Sequence, residues 1–193
     1  MNWLTKIAAI SATFAIMLGA CGKTGADNGA VAGDAPALSK DGAGAKASFV
    51  NASGAKIGEA TLTQTPHEEV LIRLSLSGLK TGWHGIHLHQ IGDCSDGAEG
   101  FKASGGHINP AQNEHGLLNP NGYEAADMPN IYAGADGVAV AEILNTKLSL
   151  GGEPMSDADG FAMVIHESPD DHLTQPIGGA GARVGCAAFN LVE

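Results

Sequence analysis

The sequence predicts an all-β protein, built as an antiparallel sandwich or barrel. Apolar and polar residues alternate in several short segments, and turn residues separate these segments from one another. No long apolar period of 3.6 residues indicates a substantial helix. The composition, with 28 glycines and 5% aromatic residues, also suits a β-rich fold with many turns.

The predicted strands lie between residues 46 and 191. The clearest is 69–76, in which every second residue is apolar, so that one face is apolar and the other is mixed. The other predicted strands are 46–50, 56–63, 85–91, 137–144, 161–166 and 182–191. Residues 93–136 and 167–182 are too long for structureless connections in a compact domain, so we interpret them as two functional loops.

The N-terminal part of the chain is predicted to be an export signal and a tether. Residues 1–20 contain one basic side chain and then an apolar run of signal-peptide length. The following Cys21 completes a stretch, LGAC, that resembles a bacterial lipobox; this implies cleavage before Cys21 and lipidation of its thiol. An ordinary signal peptide with an incidental cysteine is the alternative. Residues 21–44 are interpreted as a flexible Gly/Ala-rich tether, and residues 45–193 as the folded domain.

The expected location is therefore the cell envelope or periplasm, with the domain attached to a membrane through a lipid anchor at Cys21. The formal net charge is −11, and no cluster of Lys or Arg occurs in the sequence. No nucleic-acid partner is expected on this ground, since phosphate binding needs a basic surface. A small anionic substrate remains compatible, because a local positive site can act within a negative field. The sequence leaves the oligomeric state open, including a homodimer.

Two cysteines remain within the predicted domain, Cys94 and Cys186. An even pair of cysteines in an exported chain predicts a disulfide, since thiols oxidise outside the cytoplasm. Two free buried thiols are the alternative.

The stretch WHGIHLHQIGDC contains three histidines within six residues. A strand directs residues i and i+2 to one face, so His87 and His89 are expected to point together, with Leu88 opposite. Two neighbouring imidazoles that share a metal avoid repulsion between their protonated forms. His107, His115 and His166 are further candidates, and a set of four imidazoles suits copper. Exposed or hydrogen-bonded side chains without a metal are the alternative.

Several motifs occur in an order and spacing that resemble the copper/zinc superoxide dismutase family. They are HGIHLHQIGDC, GGHINP with a following EHG, DMPN, VIHESPDD and GARVGC, and the resemblance covers residues 45–192. It implies a Greek-key β-barrel that binds copper and zinc. It also implies superoxide as the substrate, converted to O₂ and hydrogen peroxide.

The resemblance also implies roles for individual residues. The implied copper ligands are His87, His89, His107 and His166. His107 would bridge copper to zinc and give a proton to the departing peroxide. His115 and Asp127 would be two further zinc ligands. Asp170 would hydrogen-bond to ligand histidines of both metals, Arg183 would hold the anion beside copper, and Cys94 and Cys186 match the disulfide of the family.

One position departs from the family pattern. Many relatives have a histidine three residues before the zinc-ligating aspartate, and this chain has Glu124 there. A carboxylate can ligate zinc, so Glu124 could replace the histidine directly. Alternatively, the zinc site is weak, empty or completed by water. His84 and His172 match no metal role and are expected at the surface or in loops.

Two functions other than dismutation remain open. A protein of the same fold could bind or deliver copper in the envelope without turnover, although Arg183 would repel such a cation. The second of these functions is that of a structural envelope lipoprotein whose histidines are incidental. A carrier would bind copper without dismutation, and a structural protein would bind none.

Overall fold

The computed structural model describes residues 44–155 and 157–191. The predicted signal peptide, Cys21 and residues 22–43 lie outside this part of the chain. The nine strands of the described ranges are β1 Gly44–Asn51, β2 Lys56–Gln64, β3 Val70–Leu76, β4 Gly82–His84, β5 Ile86–His89, β6 Ile131–Ala133, β7 Ala139–Asn145, β8 Phe161–His166 and β9 Arg183–Phe189. Helical residues in these ranges form two single 3₁₀ turns, Gly97–Glu99 and Lys102–Ser104, and none of the helices found there could span a membrane.

Seven of the strands form one curled antiparallel sheet in the order β5-β8-β9-β1-β2-β3-β7. The remaining two, β4 and β6, pair with each other. Because β3 pairs with β7 and not with β4, the chain leaves this side of the sheet after β3 and returns to it later as the edge strand β7. This is a crossover typical of Greek-key arrangements. The predicted all-β fold is confirmed.

All seven predicted strands are present, with ends that differ from the prediction by two residues at most. Gly44, which was assigned to the tether, is the first residue of β1. β4 and β6 were not predicted, and β6 lies inside the region predicted as the loop 93–136. Each of the missed strands has three residues, which is too short to show a period-2 pattern.

The main core lies against one face of the sheet. Ile72 and Leu74 of β3 pack in one buried cluster with Met163 of β8, and Ile131 and Ala133 of β6 belong to the same cluster. The small β4–β6 sheet therefore covers the core that the seven-stranded sheet lines. Burial of each large aliphatic side chain contributes about 1.5–3 kcal/mol, so the scaffold has a metal-independent source of stability.

The disulfide between Cys94 and Cys186 is present, as predicted. It joins the loop after β5 to the middle of β9, with a Cα–Cα distance of 5.8 Å and a sequence separation of 92 residues. Phe101 and Val164 pack beside it in a second buried cluster. The bond thus fixes the first long loop to the sheet close to Arg183, at the start of β9.

Candidate metal centre

Strand β5 places two histidines at the centre of the site. His87 lies opposite Asp127 and His89 lies opposite His107, each as an isolated β-bridge to the first long loop. Along its other edge β5 pairs with β8, which ends at His166. Leu88, between the two histidines, points into the core. The expected common orientation of His87 and His89 is confirmed.

Four imidazoles meet beside this strand, and we call them the four-histidine cluster: His87, His89, His107 and His166. Ring nitrogens of His87, His107 and His166 lie within 4.8 Å of one another. The ring centroid of His87 is 4.3 Å from that of His107 and 4.9 Å from that of His166. His89 flanks this group, with its ring centroid 5.1 Å from that of His107.

Each ring of the four-histidine cluster has one nitrogen fixed by the protein. His87 Nε2 contacts Asp170 Oδ2 at 2.7 Å, His89 Nδ1 contacts the Gly105 carbonyl at 2.9 Å, and His166 Nδ1 contacts the Gly181 carbonyl at 3.1 Å. His107 Nδ1 lies 2.5 Å from Glu124 Oε2. These contacts set the orientation of all four rings.

The second nitrogen of each ring is buried and has no hydrogen-bond partner among the described residues. These atoms are His87 Nδ1, His89 Nε2, His107 Nε2 and His166 Nε2. A buried polar atom without a partner costs about 1–3 kcal/mol, so four of them at one place indicate a ligand. Several neutral imidazole nitrogens converging on one point form a donor set that fits copper.

The imidazoles of the four-histidine cluster are suited to donate lone pairs to a metal at neutral pH. Burial lowers the pKa of His87 to about 4, that of His89 to about 2 and that of His166 to about 3. The positive charge of Arg183 contributes to the low pKa of both His89 and His166. Metal binding requires neutral imidazole, so little free energy is needed to remove protons from these three rings.

A second group shares His107 with the first, and we call it the mixed cluster: His107, His115, Glu124 and Asp127. One ligand atom of each lies within 4.8 Å of those of the other three. His115 Nδ1 is 2.7 Å from Asp127 Oδ1 and 3.3 Å from Glu124 Oε2. Two imidazole nitrogens and two carboxylate oxygens are a donor set that fits zinc.

The electrostatics of the mixed cluster favour a cation. Burial opposes ionisation of Glu124, but its hydrogen bonds to His107 and His115 lower the carboxyl pKa to about 2. Burial likewise opposes protonation of His115, yet the carboxylates of Asp127, Asp170 and Glu124 raise its pKa to about 11. The carboxylates that hold a proton on His115 would also attract a divalent metal at the same point.

Asp170 connects the two clusters, as the resemblance implied. Its Oδ2 contacts His87 Nε2 at 2.7 Å and its Oδ1 contacts His115 Nε2 at 3.2 Å. Although burial opposes ionisation, these hydrogen bonds hold the pKa of Asp170 well below its ordinary range. Gly178 allows this approach: its φ is +59°, and a Cβ there would lie 1.6 Å from Asp170 Oδ1. Asn130 holds the Asp170 backbone through two 2.8 Å hydrogen bonds.

Arg183 lies at the edge of the four-histidine cluster, paired across the strands with His166. Its Nη1 donates to the Phe101 carbonyl at 2.7 Å and to Ser104 Oγ at 3.0 Å. Its Nη2 donates to the Gly105 carbonyl at 2.9 Å, the same oxygen that fixes His89. The guanidinium is therefore held in one place. No role was predicted for Ser104, Gly105 or Asn130, because their contacts are with residues distant along the chain.

The expected surface or loop position of His84 is wrong. His84 ends β4, is 2% exposed, and places Nδ1 2.7 Å from the His166 carbonyl and Nε2 2.8 Å from the Lys80 carbonyl. It fixes the backbone beneath His166, a role that was hidden because β4 was not recognised. His172 does lie in the second loop, and its backbone N–H donates to Asp170 Oδ1 at 2.6 Å.

Fold and site together define a β-sheet metalloprotein with two adjacent clusters of metal-binding side chains that share one histidine. Residues 56–189 match the family model of copper/zinc superoxide dismutase (SODC), and the chain belongs to this family. It is 50% identical over 141 residues to a Cu-Zn superoxide dismutase of Caulobacter vibrioides, covering 70% of this chain and 79% of that protein. A Cu-Zn superoxide dismutase of Aquifex aeolicus is 40% identical over 149 residues, covering 75% of this chain and 85% of the relative.

Solved structures show the same fold. The crystal structure of a superoxide dismutase-like protein from Bacillus subtilis matches with a TM-score of 0.70 and 36% identity, covering 74% of this chain and 96% of that one. The Cu/Zn superoxide dismutase of Brucella abortus matches with a TM-score of 0.61 and 22% identity, over 76% of this chain and 99% of that one. The second likeness supports the fold alone.

Proposed function

We propose that the chain is a superoxide dismutase that converts two superoxide anions and two protons to O₂ and hydrogen peroxide. The observation that carries this proposal is the set of four buried imidazole nitrogens that have no partner among the described residues, next to the fixed guanidinium of Arg183. Family membership supports it independently.

The unpartnered nitrogens identify the atoms that would hold the copper. They are His87 Nδ1, His89 Nε2, His107 Nε2 and His166 Nε2. Zinc would be held by His107 Nδ1, His115 Nδ1 and Asp127 Oδ1, which belong to the mixed cluster. Copper, when bound, supplies the one-electron acceptor and donor that superoxide disproportionation needs, while the protein supplies orientation and charge.

The side chains of this chain supply the remaining requirements of the reaction. Arg183 offers a permanent positive charge and planar N–H donors to a small anion. When it is not bound to copper, His107 Nε2 would be the atom that holds a proton for the departing peroxide, since this nitrogen is buried and has no competing partner among the described residues. Asp170 and the carbonyls of Gly105 and Gly181 keep the rings in place.

Arg183→Ala is expected to lower kcat/KM about ten- to a hundredfold, because a hydrogen bond to a charged group contributes about 1.5–3 kcal/mol. Copper content should be unchanged, since Arg183 is not a ligand. The measurement is the second-order rate of superoxide loss at matched copper loading. Arg73→Ala, which removes a surface arginine paired with Glu142, is the control and should keep the full rate. An unchanged rate for Arg183→Ala would show that Arg183 is not the anion site.

Metal content measured together with activity tests the whole proposal. The chain, loaded with copper and zinc and then dialysed, should retain about one copper per chain and dismutate superoxide rapidly. Copper without dismutation would favour a copper-binding or delivery protein of the same fold. Absence of copper would refute the roles given to the four-histidine cluster.

We also propose that the domain acts in the cell envelope as a lipoprotein. The support is the sequence of residues 1–21, with its apolar run and the LGAC stretch that ends at Cys21. The mass of the mature N-terminal peptide tests this: an acylated Cys21 is expected, and an unmodified N-terminus would refute it.

A second copy of this chain is the remaining proposed partner, in a homodimer. The exposed Trp83–Tyr132 pair on the β4–β6 sheet supports it. Sedimentation that stays monomeric at high concentration would refute the dimer.

A further inference from the structure

Glu124 occupies the centre of the mixed cluster. Its Oε2 lies 2.5 Å from His107 Nδ1 and 3.3 Å from His115 Nδ1, the two nitrogens assigned to the second metal. Its backbone N–H donates to Asp127 Oδ2 at 2.9 Å, and the other oxygen, Asp127 Oδ1, faces His115 Nδ1 at 2.7 Å. The carboxylate oxygens of Glu124 and Asp127 therefore face the same point as the two imidazole nitrogens.

The other carboxylate oxygen of Glu124 is already engaged. Asn109 Nδ2 donates to Glu124 Oε1 at 2.9 Å and to the Asn113 carbonyl at 2.8 Å. Asn109 Oδ1 accepts from the Asn113 backbone N–H at 3.0 Å, so the amide itself is fixed at both ends. Oε1 is thus turned toward Asn109 and Oε2 toward the two imidazole nitrogens, an orientation that favours binding of a metal through Oε2 alone.

We propose that Glu124 is the fourth ligand of the second metal, bound through Oε2 alone, and that Asn109 is the positioning residue that prevents two-oxygen binding. This inference rests on the proposed function, since it presumes a metal in the mixed cluster. Such a site contains two imidazoles and two carboxylates. Two carboxylates balance the charge of a divalent cation more fully than the single Asp127 would.

The ligand set also determines which metals compete. Oxygen donors suit harder cations such as Mn²⁺, whereas imidazole suits zinc, copper and nickel. The mixed cluster is therefore expected to discriminate less strongly between Zn²⁺ and Mn²⁺ than a site in which an imidazole replaces Glu124. Glu124→His should increase the ratio of zinc to manganese affinity, by about tenfold or more if the ligand type sets it.

The experiment uses the chain loaded with one Cu(I), a d¹⁰ ion without d–d absorption, and titrated with Co²⁺ and then with Zn²⁺ against a chelator. Glu124→Gln should weaken zinc binding at least tenfold and change the Co²⁺ d–d spectrum. Asn109→Ala should weaken zinc binding about 10- to 100-fold, as is typical for loss of a group that orients a ligand. Glu99→Gln, which neutralises an exposed carboxylate of a 3₁₀ turn, is the control and should change neither.

A double-mutant cycle separates the two residues, because Asn109 can act on Oε1 only while residue 124 has a carboxylate. Asn109→Ala should have no further effect on zinc affinity in the Glu124→His background. An unchanged Co²⁺ spectrum and zinc affinity in Glu124→Gln would show that Glu124 is not a ligand. An equal effect of Asn109→Ala in both backgrounds would show that Asn109 only shapes the turn. Copper content and dismutation of the unsubstituted chain report on the proposed function separately, so the two failures are distinguishable.

Discussion

Replacement of His166 by alanine is expected to remove copper from the protein and abolish dismutation. His166 Nε2 is one of the four imidazole nitrogens that lack a partner among the described residues, and alanine offers no donor atom there. Loss of a direct ligand should weaken copper binding by more than the roughly 10- to 100-fold that follows loss of a supporting hydrogen bond. Copper content after dialysis against a chelator measures this effect, alongside the rate of superoxide loss.

The sheet should survive this substitution. His166 is the last residue of β8, and its hydrogen bond from the backbone N–H to the Gly85 carbonyl remains with alanine. A β-sheet circular dichroism spectrum should therefore be retained. His67→Ala provides a matched control, because His67 lies exposed in the turn between β2 and β3. Full copper retention in His166→Ala would contradict the assignment of the four-histidine cluster.

Removal of the Cys94–Cys186 disulfide is expected to produce the largest loss of stability. The bond closes a loop with a sequence separation of 92 residues, for which the chain-entropy model gives about 4–5 kcal/mol. For a domain of this size such a loss corresponds to a fall in Tm of about 10–20 °C. The comparison is thermal unfolding of the metal-free chain and of the Cys94→Ser, Cys186→Ser double variant.

Reductant provides the internal control for this prediction. It should destabilise the unsubstituted chain to about the level of the double variant and leave the variant unchanged. A double variant as stable as the oxidised chain would mean that the loop is held by its other contacts. Those contacts include Phe101, which packs beside the bond, and the hydrogen bond from Arg183 to the Phe101 carbonyl.

Local patterns were sufficient to predict most strands and the pair His87 and His89. Alternation over seven residues identifies β3, and the His-x-His spacing on a strand requires a common face. The order of several motifs then carried the resemblance, which implied the roles of His107, His115 and His166 and added Asp127 as a candidate ligand. These features depend on residues close together in the chain.

The missed features depend on residues far apart in the chain. β4 is recognisable only through its pairing with β6, and the burial of His84 depends on the carbonyl of His166, 82 residues away. The same holds for the Ser104 hydroxyl that accepts from Arg183, and for the Asn130 amide that holds the Asp170 backbone. No local pattern encodes such partners, so only the folded chain shows them.

The carboxylate of Asp170 joins His87 of one cluster to His115 of the other, and His107 belongs to both. A metal that fixes the ring of one partner also fixes the carboxylate that orients the other. The two binding equilibria are therefore linked by a coupling free energy. Thermodynamic linkage requires the effect to be reciprocal. Zinc must change the affinity for copper by the same factor by which copper changes the affinity for zinc.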